Sequence, residues 1–350
     1  MIVFIISFLL TIILIKGLYP LAIKIDLLDR PCVRKCHEGA VPLVGGLAIF
    51  ISFIICIFVL DLFTPALLPL LASLLIIIVL GFLDDCRGLS FKIRFAFQSI
   101  AVLVVVYYSE IQLNSVGHIF GIEDLQLAWF AIPFTVFAII GNINAFNMMD
   151  GIDGLSASLA LVTLLGFFFG AGVPADILEY KMLLLLIASL CAFLLINLFA
   201  KNKVFMGDAG SMLIGFAISY FAIIFCQESS GLKTISPIAC LWVLAIPVMD
   251  TVCIMIRRIK KGQSPFLPDR EHLHHVFLRA GYSARQALVI IVIISSILAS
   301  IGLVANYYQV PEWIMGVGYL LVFTGYFQLL QHSWLLMRWL KVIHKPALTS

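Results

Sequence analysis

The stretch LQLAWFAIPFTVFAIIGNINAFNMMDGIDG, residues 125–154, opens with an uncharged run and closes on amides, two carboxylates and two glycines. The first part, residues 125–149, is long enough for a helix to cross a bilayer, which needs ~20 residues at about 1.5 Å each to span ~30 Å of hydrocarbon. The second part, NINAFNMMDGIDG from Asn142 to Gly154, is what hydrocarbon does not tolerate, because unpartnered polar groups are costly there. The junction predicts a membrane helix that ends at a water-facing rim. Working outward, further uncharged runs of this kind occupy residues 39–60, 62–83, 154–175 and 287–308.

Composition agrees. The 350 residues are 63% hydrophobic and only 12% charged, with a mean hydropathy of +1.13. A soluble domain is roughly half apolar, so an all-α polytopic membrane protein is the expected class. No nucleic-acid partner is expected from a formal charge of +3 spread along such a chain. Charged and turn-rich breaks define eleven candidate spans, centred near residues 12, 51, 74, 101, 136, 163, 191, 218, 244, 297 and 323. The fourth, residues 95–109, is short, with Lys92 and Arg94 placed to snorkel at its edge. The ninth contains Pro247 and Asp250 and is expected to be broken near the proline. No linker or repeat divides the chain, so residues 1–350 read as one multispan domain.

Basic residues set the orientation, because loops rich in Lys and Arg stay cytoplasmic. With the N-terminus outside and the C-terminus inside, 19 of the 22 Lys and Arg residues fall in cytoplasmic segments. Lys16 lies near the inner end of the first span, leaving only Lys181 and Lys233 outside. The first span lacks a basic n-region and a cleavage site, so it reads as a retained helix. The eight cysteines show no paired spacing. Cys32 and Cys36 beside His37 lack a second ligand pair, which disfavours a metal reading.

On this topology four polar clusters share the cytoplasmic side: Asp84-Asp85 after span three, the opening stretch after span five, VFMGDAGS before span eight and PDREHLHH after span nine. Carboxylates gathered at a membrane surface repel one another unless a cation joins them. Asp and Asn oxygens suit Mg²⁺ or Mn²⁺, which bind a carboxylate or two plus substrate phosphates, so a nucleotide diphosphate is the natural partner. Gly151 is placed to end span five in a left-handed turn, and Asp153 to cap span six. Gly207 to Ser211 opens span eight. Both helix N-termini would then offer backbone NH groups and a dipole to anions. Asn144, Asn147, Asp150 and Asp153 are three apart, so one straight helix cannot turn all four toward one ligand, and a break is needed.

Asp84 and Asp85 point about 100° apart on a helix and so take different jobs. One activates or orients a nucleophile, while the other faces the metal or tunes its neighbour. His272, His274 and His275 titrate near neutrality and can donate to phosphate. Zinc is disfavoured there, because the loop supplies basic residues instead of cysteine ligands. Asp250 is an intramembrane acid, a functional or supporting candidate by default.

Together these residues resemble the polyprenyl-phosphate N-acetylhexosamine-1-phosphate transferases, the MraY/WecA superfamily of glycosyltransferase family 4. The carriers are Asp84-Asp85, Asn144-x-x-Asn147-x-x-Asp150-Gly-x-Asp153-Gly, Phe205-Met-Gly-Asp208-x-Gly-Ser and His272-Leu-His-His275. The resemblance implies Mg²⁺- or Mn²⁺-dependent transfer of a sugar 1-phosphate from a UDP-sugar to undecaprenyl phosphate, with release of UMP, in a bacterial inner membrane. Leu273 interrupts the contiguous histidines usual in the muramoyl-pentapeptide branch. The loop is similar to the WecA branch, which uses UDP-N-acetylglucosamine and begins a lipid-linked surface glycan such as O-antigen or enterobacterial common antigen.

By the same resemblance, Asp208 is the expected metal ligand and Phe205 the aromatic that stacks on uracil. Asp153 is the uracil-side polar contact, with Asn144, Asn147 and Asp150 on the same substrate-binding wall. Asp84, with Asp85 beside it, deprotonates or positions the lipid phosphate. Asn197 matches a nucleotide-pocket asparagine, and Arg270 with the three histidines contacts phosphate. Lys35 and His37, like Asp250, are supporting candidates, and a homodimer is left open.

Two rival classes are weaker. A transporter would carry its ionisable groups near the bilayer midplane, whereas here they line one surface. A CDP-alcohol phosphotransferase would show a D-G-x-x-A-R pattern, absent after Asp150-Gly151.

Overall fold

The computed structural model describes residues 1–30, 39–119, 121, 124–172, 177–227, 235–264, 271–332 and 337. Lys35, His37 and Arg270 lie outside them. Helices dominate. α1 (Ile2–Lys24) leads through a two-residue antiparallel pairing of β1 (Leu28–Asp29) with β2 (Val41–Pro42) into α2 (Gly45–Val59). α3 (Leu68–Arg87) and α4 (Phe91–Ser109) follow, then α5 (Ala131–Met148), α6 (Leu155–Gly170), α7 (Leu178–Phe199) and α8 (Gly207–Cys226). The last part comprises α9 (Pro237–Val243), α10 (Ala245–Lys260), α11 (Leu273–Arg279), α12 (Ala284–Tyr307) and α13 (Glu312–Gln331).

Every one of the eleven expected spans corresponds to helix, but not all are full length. Among the described residues eight helices are long and apolar enough to cross a membrane, or nine if the bent pair α9 and α10 is one span. α2 and α6, at 15 and 16 residues, are shorter. At 1.5 Å per residue they reach only about 22–24 Å. Both lose their first turn to the site. The chain before α2 is spent pairing with residues 205–206, and the chain before α6 is spent on the polar turn at 149–154. α4 begins at Phe91 and takes in Lys92 and Arg94, so it gains the length that residues 95–109 lack.

The ninth span breaks at Leu244 with a bend of 84°, three residues before Pro247. The proline ring cannot coexist with a helical carbonyl four residues earlier, and Val243 is where α9 stops.

α8 is the hub of the bundle and is buried along its length except at Asp208 in its first turn. Small residues let neighbours approach its backbone. A Cβ built on Gly46 would lie 2.3 Å from the Gly210 Cα, one on Gly81 2.3 Å from the Ala209 Cα, and one on Gly215 2.7 Å from the Ile143 Cα. In hydrocarbon, where helices gain little from hydrophobic burial against each other, such close backbone contact is a main source of association. α2, α3 and α5 are thereby held against α8, and their polar ends meet at its N-terminus.

The two ends of the bundle differ in chemistry. Exposed Tyr107, Tyr108, Trp129, Tyr307, Tyr308 and Trp313 mark one end, as aromatic residues do at a membrane interface. Basic residues cluster at the other end, in the last turns of α3, α10 and α11.

Candidate active site

At the basic end, α3 finishes beside the start of α8. The Asp85 carboxylate accepts the backbone NH of Asp208 at 2.8 Å through Oδ1 and that of Ala209 at 3.1 Å through Oδ2. Gly207, at φ 71°, brings the chain in so closely that a Cβ there would lie 2.6 Å from Asp85 Oδ2. The anion expected at the α8 N-terminus is therefore the protein's own carboxylate, drawn by the same free NH groups and dipole that would attract a phosphate.

Asp84 faces elsewhere, as the helical offset requires. Its Oδ2 pairs with Arg94 Nη1 at 3.0 Å and its Oδ1 accepts the Leu89 NH at 2.6 Å. The pair closes the α3–α4 corner and draws Arg94 to the rim. Nothing in the sequence pattern had marked Arg94 as more than an edge residue.

The turn after α5 departs from its expected geometry. α5 ends at Met148, and the left-handed residue is Gly154 at φ 73°, not Gly151. Gly154 is also the N-cap of α6, which has no side-chain cap. Asp153 instead accepts a 2.8 Å hydrogen bond from Lys203 Nζ. Gly151 is required for another reason: a Cβ on it would lie 2.1 Å from His274 Nε2. The glycine makes room for the imidazole, which joins the DGIDG turn to the histidine loop.

The amides separate as the three-residue spacing predicts. Asn147 Nδ2 donates to Asp208 Oδ1 at 2.7 Å and to Ser211 Oγ at 3.0 Å. Asn144 turns toward α4, donating to Gln98 Oε1 at 3.0 Å and to the Ile140 carbonyl at 2.8 Å. Asn142, not singled out from sequence, braces α5 against α8 through the Gly215 carbonyl and Ser219 Oγ. Asp150 is exposed on the turn.

Lys203 was also missed, because a lone lysine in a basic loop carries no pattern. Its ammonium bonds Asp153 and lies 5.0 Å from the centroid of the Phe205 ring, within cation–π range. Phe205 is held by its backbone: its NH donates to the Pro42 carbonyl and its carbonyl accepts the Gly45 NH, both at 2.9 Å. Asn197 supports the same loop from α7. Its Nδ2 donates to the Val204 carbonyl at 2.8 Å, while its buried Oδ1 has no partner among the described residues.

The histidine loop is anchored to α10. Glu271 pairs with Arg257 at 2.7 Å and with Lys261 at 3.3 Å. His272 stands at the N-cap of α11 with Nδ1 2.6 Å from Asp250 Oδ2. The rings of His274 and His275 lie 4.1 Å apart. His274 is buried, and both its nitrogens lack a partner among the described residues. Burial, reinforced by the charges of His275 and His272, pushes its pKa down to about 3, so it is a neutral imidazole at any physiological pH.

Among the described residues no three His, Cys, Asp or Glu side chains are grouped as a metal cage. That donor set does not suit zinc, which wants four protein or water ligands including nitrogen or sulfur. It does suit Mg²⁺ or Mn²⁺, which need only a carboxylate or two when phosphates and water complete the shell. Asp208 meets that condition, with Asn147 orienting Oδ1 and Asp85 adjacent.

Residues 67–226 match the model of glycosyl transferase family 4. The chain is 39% identical over 332 residues to the undecaprenyl-phosphate alpha-N-acetylglucosaminyl 1-phosphate transferase of Escherichia coli strain K12, covering 92% of this chain and 88% of that relative. The protein of the same name from Salmonella typhi is 40% identical over 347 residues, covering 97% and 93%. The one from Haemophilus influenzae is 36% identical over 336 residues, covering 94% and 93%.

Proposed function

The chain belongs to glycosyl transferase family 4, and from that premise we propose that it transfers N-acetylglucosamine 1-phosphate from UDP-N-acetylglucosamine to undecaprenyl phosphate, releasing UMP. The observation that carries the proposal is the convergence on Asp208: Asp85 holds its backbone, Asn147 holds its carboxylate, and both come from helix ends at the same rim. Relatives that share more than a third of their residues with this chain carry that activity in their names. The site is proposed to face the cytoplasm of a bacterial inner membrane, where UDP-sugars are found and where the basic end belongs.

In this reading an oxygen of the lipid phosphate attacks the β-phosphorus of the UDP-sugar. A new P–O bond forms there, the bond to the bridging oxygen breaks, and UMP departs with the electron pair. Asp208, with Asp85 beside it, would hold Mg²⁺ or Mn²⁺, which would supply neutralisation of the charge that builds on the leaving group. Phe205 offers a rigid ring for the uracil, and Asp153 with Lys203 borders it. The acceptor phosphate is largely ionised at neutral pH, so Asp84 serves to orient it or take its last proton. Arg94, tied to Asp84, adds a cation that attracts that phosphate. His272 and His275 donate toward phosphate oxygens, and Asn197 braces the loop that carries Phe205.

The test uses purified protein with Mg²⁺ and undecaprenyl phosphate, offered UDP-N-acetylglucosamine and competing UDP-sugars. UMP release with UDP-N-acetylglucosamine is expected. Release only with UDP-N-acetylmuramoyl-pentapeptide would move the protein to the other branch of the family.

A further inference from the structure

α13 faces outward along most of its length, with Leu320, Leu321 and Leu329 exposed and only Met315, Tyr319 and Leu330 buried. Tyr326 lies on the inward face, seven residues after Tyr319 and four before Leu330, so the three share one stripe. Leucine would fill that space with no polar atom to satisfy. A phenol hydroxyl at membrane depth needs a partner.

The partner is Asp250 of α10, whose side chain is fully buried. Tyr326 OH donates to Asp250 Oδ1 at 2.6 Å, and the Leu273 NH donates to the same oxygen at 3.0 Å. Asp250 Oδ2 lies 2.6 Å from His272 Nδ1. With two donors committed to Oδ1, the second oxygen is the acceptor for a proton on Nδ1. The ring is thereby turned so that Nε2, on its far edge, points away from the carboxylate. A carboxylate placed behind a histidine in this way sets both its tautomer and its direction.

We propose that Tyr326 is a positioning residue that acts through Asp250 to keep the His272 Nδ1–H on the carboxylate and so aim the Nε2 edge of the ring at the reactants' phosphates. The inference rests on the proposed role of residues 272–275 in phosphate binding. Without the hydroxyl, Asp250 Oδ1 keeps only the Leu273 NH, and the carboxylate is free to rotate and carry the imidazole with it. Loss of a supporting partner of this kind commonly lowers activity or affinity ~10–100-fold.

Tyr326→Phe keeps the ring and removes only the hydroxyl. Alone it is expected to lower kcat about 10-fold with KM for the UDP-sugar little changed. In a His272→Gln background the same substitution is expected to lower kcat less than about 2-fold, because the group it acts through is gone. An equal loss in both backgrounds, or full kcat in Tyr326→Phe, would overturn the proposal. The ring ¹⁵N spectrum of His272 in the detergent-purified protein gives a readout that needs no substrate. The parent protein should show a protonated Nδ1 with the signature of a hydrogen bond to a carboxylate, and Tyr326→Phe should weaken that signature. An unaltered spectrum sinks the positioning role. Absence of UMP release by the parent protein with UDP-N-acetylglucosamine would instead count against the proposed function and leave the spectral test standing.

Discussion

Asp208 and Asp84 illustrate how two carboxylates in one site carry different burdens. Asp208 has its backbone fixed by Asp85 and one oxygen fixed by Asn147. Asp208→Asn keeps the shape and removes the charge, so turnover should fall ~100-fold or more while thermal unfolding stays near that of the parent protein. Asp84→Asn also leaves Arg94 without its counter-charge. It should abolish UMP release and lower the unfolding temperature as well, and near-normal release from either variant would refute the assignment. His274 gives a pH prediction. Its folded pKa, about 3, lies below the unfolded value of about 6.5, so the unfolded chain binds an extra proton between those values. Stability from this group is complete above about pH 6.5 and is lost as the pH falls toward 3. In His274→Gln, thermal stability should decline less steeply between pH 6.5 and 5, and an unchanged slope would contradict the buried neutral imidazole. Acidic and histidine motifs were legible in the sequence because carboxylates and imidazoles are rare in so apolar a chain. Lys203, Arg94 and Tyr326 were not, because each gains its meaning from a partner brought to it by the fold, Tyr326 from one 76 residues away.

The elements were legible as apolar runs but not in their true lengths. Hydropathy marks where a helix can lie in hydrocarbon and says nothing of a turn surrendered to backbone pairing, as before α2, or to a polar loop, as before α6. Glycine was similarly ambiguous. Gly151 looked like a helix terminator and proved to be clearance for His274, whereas Gly154 supplies the left-handed turn. Gly46 carries the sharpest demand at this scale. Its NH donates to the Met206 carbonyl at 3.0 Å, and a Cβ would fall 2.3 Å from the Gly210 backbone. Because the obstacle is backbone, it cannot rotate aside. Gly46→Val should push α2 from α8, destabilise the protein by ~1–3 kcal/mol or more, and loosen the Phe205 loop hydrogen-bonded to α2's first turn. The expected result is a lower unfolding temperature in detergent together with a raised KM for the UDP-sugar. Unchanged values for both would mean that the helices have slack at this crossing.

At the scale of the whole molecule, charge and aromatic placement describe one axis. Tyr107, Tyr108, Tyr307, Tyr308 and Trp313 stand at one end, while the last turns of α3, α10 and α11 carry basic residues at the other. Every described residue of the candidate site lies toward the basic end, the end proposed to face the cytoplasm. A lipid acceptor anchored in the bilayer and a nucleotide sugar confined to water can meet only at such a rim, so orientation is part of the catalytic argument. Cys86, exposed in the last turn of α3 next to Asp85, reports it directly. In a variant with the other seven cysteines replaced by serine or alanine, a membrane-impermeant maleimide should leave Cys86 unmodified in intact spheroplasts and label it once the membrane is permeabilised or the vesicles are inverted. Labelling from the outer side would place the site across the membrane from the UDP-sugar pool. In that orientation the residues that converge on Asp208 would have no nucleotide sugar to act on, and the proposed reaction would fail with the topology.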